Sequence, residues 1–179
     1  MMRGRQVTGV LVAAILAGGC AAVEQRSWDV ERVPEGSRLT IERDIPVSTY
    51  SGHAHVQAGE SVDPRSVDRF QPSCRFHTKG PRDAVGVIAP GEFEVSGVRT
   101  RRAVALHDGD EPVRVASRFS REGGLPSYIR HETHMRLRSA DQPAVHRMVC
   151  RYETASRAPH LQFDEIRDTL AGIATLERP

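Results

Sequence analysis

Beyond its first twenty residues the 179-residue chain has no second long apolar run. A membrane span, which needs roughly 20 consecutive apolar residues, is therefore excluded from the rest of the sequence. Cysteine is scarce, with three residues, so a thiolate-only metal site is out of reach. Lysine is almost missing: Lys79 is the single one among 25 basic residues. That bias reads as a coding preference more than as selection for bidentate phosphate contacts, and it leaves a phosphate-binding face as the lesser alternative. Catalytic signatures are absent too. There is no GxSxG elbow, no HExxH, no P-loop and no lone activated cysteine, and "HDGD" (107–110) and "REGG" (121–124) read as turns rather than phosphate cradles.

What is present begins with an address. "MMRGRQVTGVLVAAILAGGC" carries Arg3 and Arg5 and then an uncharged, mostly apolar run from Val7 to Gly19. This is the length of a signal-peptide core, about 7 to 15 residues, and too short for a span. The ending Leu16 to Cys20, "LAGGC", is similar to the bacterial lipoprotein processing site, with Leu one place earlier than the usual pattern. It predicts a signal peptide over 1–19, diacylation of the Cys20 thiol, and a mature chain that begins there. An ordinary secretory signal cut nearby is the alternative. Two or three long acyl chains, at about 0.8 kcal/mol per buried CH₂, anchor a protein far more firmly than one myristoyl chain. Ala21 rather than Asp after that cysteine points to the outer membrane, with the domain facing the periplasm. Residues 23–36 are mostly polar and hold one aromatic, Trp28; 20–36 read as a lipidated tether and 37–179 as a single domain.

Arg3 and Arg5 account for the whole formal charge of +2. The mature chain is thus near neutral and carries no electrostatic footprint for nucleic acid. Export implies an oxidising compartment, and with Cys20 acylated two cysteines remain, so a Cys74–Cys150 disulfide is expected. The two sit in matched settings, "CRFHT" and "CRYET". In extended chain Cys74, Phe76 and Thr78 share one face and Arg75 and His77 the other, while Cys150, Tyr152 and Thr154 oppose Arg151 and Glu153. Two unpaired core thiols are the alternative.

Period-two patterning predicts a mainly β chain. "RLTIERDIPV" reads as a first strand with Leu39 and Ile41 inward, and "YSGHAHVQAG" as a second. "AVGVIA" and "EFEVSGV" read as a hairpin turned at Pro90 and Gly91. "RRAVAL" and "VRVASRF" flank the "HDGDEP" turn cluster, and "YIRHETHMRLRS" pairs with "AVHRMVCRYET". In "FDEIRDTLAGIATLE", Phe163, Ile166, Leu170 and Ile173 recur at helical spacing, and Gly172 weakens the end. The expected fold is an antiparallel β-sandwich or partly closed barrel with one C-terminal amphipathic helix. Alternating Arg and Glu on outward strand faces reads as a solvated sheet.

Eight histidines raise the question of a metal. In the strand reading His131 faces inward and His134 outward, so "HETH" cannot hold one ion. "HAH" places His53 and His55 on one face with Ala54 and Val56 toward the core. They are weak candidates, since neither a third ligand nor a second shell is marked. No cofactor is implied.

The stretches "HAHVQAG", "QPSCRF", "APGEFEV", "SADQPAVHRMVCRYE" and "FDEIRDTLAGI", in that order over residues 37–176, resemble a group of small proteobacterial envelope lipoproteins with no assigned activity. The resemblance implies a shared fold and address and no mechanism. Two functions follow as expectations. One is a non-catalytic module docking an envelope protein or cell-wall component through its outward sheet face or an open edge. The other is a small metal-dependent hydrolase using His53 and His55.

Overall fold

The computed structural model describes residues 32–80, 86–105, 128–155 and 158–179. Alternating apolar positions form ten strands there: β1 (Arg38–Ile41), β2 (Ile45–Pro46), β3 (His53–Gln57), β4 (Glu60–Ser61), β5 (Ser73–Thr78), β6 (Val87–Ile88), β7 (Gly91–Ala105), β8 (Tyr128–Arg138), β9 (Val145–Thr154) and β10 (Ala174–Glu177). One helix, α1 (Phe163–Leu170), precedes β10. Eight strands make a curled antiparallel half-barrel in the order β10-β1-β7-β8-β9-β5-β3-β4, and β2 and β6 pair separately. Helix α1 touches β10 near one edge of the sheet and β3 and β5 near the other. It therefore bridges the gap that the open barrel leaves.

One sheet face and the helix enclose the core. Leu39, Val56, Phe76, Phe93, Met135 and Met148 meet Ile166 and Leu170 there, all essentially without solvent contact. Each such side chain contributes about 1.5 to 3 kcal/mol on burial. Cys74 lies directly opposite Cys150 in the β5–β9 register, and the two are bridged with an S–S distance of 2.06 Å. The bridge closes a sequence separation of 76 residues. In the chain-entropy account that is worth about 4.5 kcal/mol at most. Phe76 is on the same side and fully buried, and Tyr152 packs against the core edge, as the matched cysteine settings predict.

The helix is held at both ends. Glu165 accepts the Gln162 amide at 2.8 Å, which occupies a donor the first turn leaves open. At the other end the β3–β4 turn, Ala58 and Gly59 with φ of 50° and 77°, meets the helix C-terminus: the Gly59 amide donates to the Thr169 carbonyl at 3.0 Å. A Cβ on Gly59 would lie 2.1 Å from the Ala171 carbonyl oxygen, so only glycine permits this approach.

Several expectations are corrected. The helical pattern read over 163–177 stops at Leu170. Gly172, at φ 89°, turns the chain, and Ala174–Glu177 pairs with β1 instead. The "RLTIERDIPV" strand splits into β1 and β2, which belong to different sheets. The hairpin about Pro90 and Gly91 does not form: β6 pairs with β2, and β7 pairs with β1 and β8. Residues 33–36, read with the tether, pack on the domain; Val33 is buried in the core and Gly36 donates to the Val95 carbonyl at 2.8 Å. The signal segment, Cys20, "VRVASRF" and the loops about "HDGDEP" and "REGG" lie outside the described residues. Among the described residues no helix is long and apolar enough to cross a membrane.

Candidate functional site

The second face of the sheet follows from register alone. Because Cys74 is opposite Cys150, neighbouring pairs point the other way: Ser73 with Arg151, Arg75 with Val149, His77 with Arg147. Strand β3 adds His53 beside His77, His55 beside Arg75 and Gln57 beside Ser73. On the far side of β9, strand β8 adds Arg136, His134, Glu132 and Arg130, and β7 adds Arg99 and Arg101. Arginine dominates; the carboxylates within those strands are Glu132 and Glu153, both buried, and the exposed Glu92 and Glu94 at the start of β7.

Only part of this face is the solvated surface expected from alternating Arg and Glu: Arg99, Arg101 and Arg136 are exposed. His55, Gln57, His77, Arg130, Glu132 and Glu153 are all buried. Burial is tolerated because partners are supplied. Arg130 donates through Nε and Nη2 to Glu153 Oε1, both at 2.7 Å, and Arg69 Nε stands 4.0 Å from the other oxygen. His134 Nε2 meets Glu132 Oε2 at 2.9 Å. That hydrogen bond, ahead of nearby positive charge, holds the Glu132 carboxyl below its usual range. The Gln57 amide donates to the Asp68 carbonyl at 2.8 Å and accepts the Asp68 amide at 2.9 Å, which folds the β4–β5 connection over one end of the face.

At the opposite end the partners are all of one kind. Arg75 Nε donates to His77 Nε2 at 3.1 Å, and Arg147 Nη2 lies 3.0 Å from His77 Nδ1. The His53 ring centroid is 4.2 Å from that of His77. Burial first, then the charges of Arg75 and Arg147, push His77 down to about 2, so its ring is neutral. Burial and the neighbouring Arg151 bring the Arg75 guanidinium down to about 10. Arg147 Nε is buried with no hydrogen-bond partner among the described residues. Arg147 also borders a cleft of about 520 Å³ lined by Glu35, Arg99, Arg101, His134 and Arg136. Glu35 is itself engaged, accepting the Val98 amide at 3.4 Å.

His53 and His55 do share a face, with Ala54 and Val56 turned to the core as read. Among the described residues no three His, Cys, Asp or Glu side chains are arranged to hold a metal ion. Physically, two guanidiniums against one imidazole repel a cation. His131 faces inward as expected and stacks on Tyr152 at 5.2 Å, with His160 edge-on at 5.3 Å. The residues that sequence reading passed over as a site are Arg75, His77 and Arg147. Comparison with known proteins yields nothing to set beside this geometry: no protein-family model, no curated protein and no solved structure matches the chain.

Proposed function

We propose that the chain is a non-catalytic binding module of the bacterial envelope, tethered to the outer membrane through an acylated Cys20 and docking its partner on the second sheet face. The observation that carries the docking surface is the in-register array of arginine and histidine at its His77 end, open through the cleft beside Arg147. The groups presented are hydrogen-bond donors and cations, suited to recognition, with no activated nucleophile beside them. The address is supported by the signal segment and by the disulfide, which suits an oxidising compartment.

Two measurements test the reading. Cys20→Ser should leave the chain unacylated by intact mass and lost from the outer-membrane fraction; wild-type chain free of acyl groups would refute the anchor. A photo-crosslinking residue in place of Arg99 or Arg136 should give discrete adducts in intact cells, and one in place of Arg167, exposed on the helix, should not. Adducts from position 167 alone would move the docking surface elsewhere.

A further inference from the structure

Building on the reading that the second face is the docking surface, we infer that this face binds a phosphate-class oxyanion, seated against Arg147 and His77 and facing the cleft that Arg99, Arg101 and Arg136 border. A neutral imidazole has one N–H donor and one acceptor nitrogen. Here both ring nitrogens of His77 face guanidinium nitrogens, at 3.1 Å and 3.0 Å, and a guanidinium only donates. If Arg75 Nε–H donates to Nε2, the ring proton sits on Nδ1 and points at Arg147 Nη2; with the other tautomer the clash moves to Arg75. Either way one donor faces another donor. An oxyanion resolves the conflict, because it accepts from the imidazole N–H and from the guanidinium together.

Arg147 supplies the second observation. Its Nε is buried and unpartnered, and its Nη2 is the group left against the imidazole. Nε–H and one Nη–H form the fork that grips a phosphate or carboxylate bidentately. Charge selects the dianion. Glu153 is engaged by Arg130 and Glu132 by His134, Glu35 in the cleft wall accepts the Val98 amide, and no salt bridge joins Arg99, Arg101 or Arg136 to a carboxylate among the described residues. A volume of about 520 Å³ holds a phosphomonoester together with the group that carries it.

The test titrates the full chain, purified in a non-ionic detergent, with inorganic phosphate, and in a second arm with neutral lipid vesicles with and without phosphatidate. Saturable shifts of the Arg75, His77 and Arg147 amides are expected in wild type, which needs no variant to fold. Arg147→Gln should weaken affinity roughly tenfold to a hundredfold, the worth of a hydrogen bond to a charged group. The exposed Arg99→Gln should weaken it by less, and Arg167→Gln should leave it unchanged. Binding in the phosphate arm alone assigns a free phosphate, and binding strengthened by phosphatidate assigns a headgroup. No saturation in either arm, or equal affinity in the Arg147→Gln and wild-type chains, overturns the inference. Should that happen while crosslinks still arise at positions 99 and 136, docking stands and only its ligand chemistry is wrong; phosphate binding without those crosslinks has the opposite meaning.

Discussion

On one side of β5, β8 and β9 the sheet shows Cys74, Phe76, Met135, Met148 and Cys150 to the helix; on the other, the same strands show Arg75, His77, Arg136 and Arg147. The first set is buried throughout and the second in part, and they are buried by different physics. Apolar contact is non-directional, so Met148 needs only neighbours of the right volume. Glu153 needs Arg130 at the right angle, and where a suitable partner is missing, as between His77 and Arg147, the array stays electrically incomplete. The contrast teaches that shape holds the core face and paired charge holds the second, so the two respond to different perturbations.

The largest effect belongs to the core face. Replacing Cys74 and Cys150 together by Ser should destabilise the domain by about 4.5 kcal/mol at most. With each kcal/mol worth roughly 2 to 4 °C in a domain of this size, melting should fall by about 10 °C. A thermal scan showing no change would mean that the β5–β9 pairing holds without its covalent tie. Next comes Leu170→Ala. Leu170 is fully buried against the sheet, so the loss should be about 2 to 5 kcal/mol, whereas Arg167→Ala, on the exposed side of α1, should cost under about 0.5 kcal/mol. Equal losses in denaturant titrations would assign the wrong helix face.

On the second face the expected loss is smaller and of another kind. Glu153→Gln keeps the shape and removes the charge that Arg130 approaches at 2.7 Å, leaving a buried guanidinium underpaired. About 2 to 3 kcal/mol should be lost. Arg130→Met in the same background should recover part of it, since an apolar pair of similar volume tolerates burial better than half an ion pair. A double-mutant cycle without coupling would show that the two side chains do not need each other.

The same contrast explains what could be read from the sequence. Inward residues such as Leu39, Phe76 and Leu170 were legible because period-two and helical spacing are local signals. The disulfide was legible from cysteine number and from the export that the N-terminal segment leads one to expect. The end of α1 was blurred because Ile173 keeps the helical spacing past Gly172, while the vacant edge of β1, a tertiary feature, takes Ala174–Glu177 as a strand. The β2–β6 pairing joins segments far apart in sequence, and no local turn signal announces it. The buried second face was hidden for a related reason: polarity says that a residue can face water and not whether a partner across the sheet will cover it. One inference was nevertheless within reach. Once Cys74 is taken to oppose Cys150 in antiparallel strands, stepping three residues outward places His77 opposite Arg147, the pair on which the candidate site turns.

The last test separates the faces by pH. His77 faces Arg75, Arg147, His53 and His146, and it is neutral in the fold down to about 2. In the unfolded chain it takes a proton near its ordinary 6.5, so below that value the unfolded state binds more protons than the folded one. Its contribution to stability is therefore complete above pH 6.5 and declines as pH falls from 6.5 toward about 2, with a slope of at most about 1.4 kcal/mol per pH unit. His131, His146 and His160 are also pushed down by burial and add to that slope in the same direction. Glu132, held below its usual range by His134, acts in a lower window: its share is present above the ordinary carboxylate value of 4.5 and is lost as pH falls below it. Stability should thus decline between pH 7 and 5, above the window in which Glu132 contributes. His77→Gln should flatten that decline by one histidine's share, and Leu170→Ala should lower the whole curve without changing its slope. If His77→Gln leaves the slope between pH 6.5 and 5 untouched, the imidazole is not held neutral by its two arginine neighbours and the burial around it.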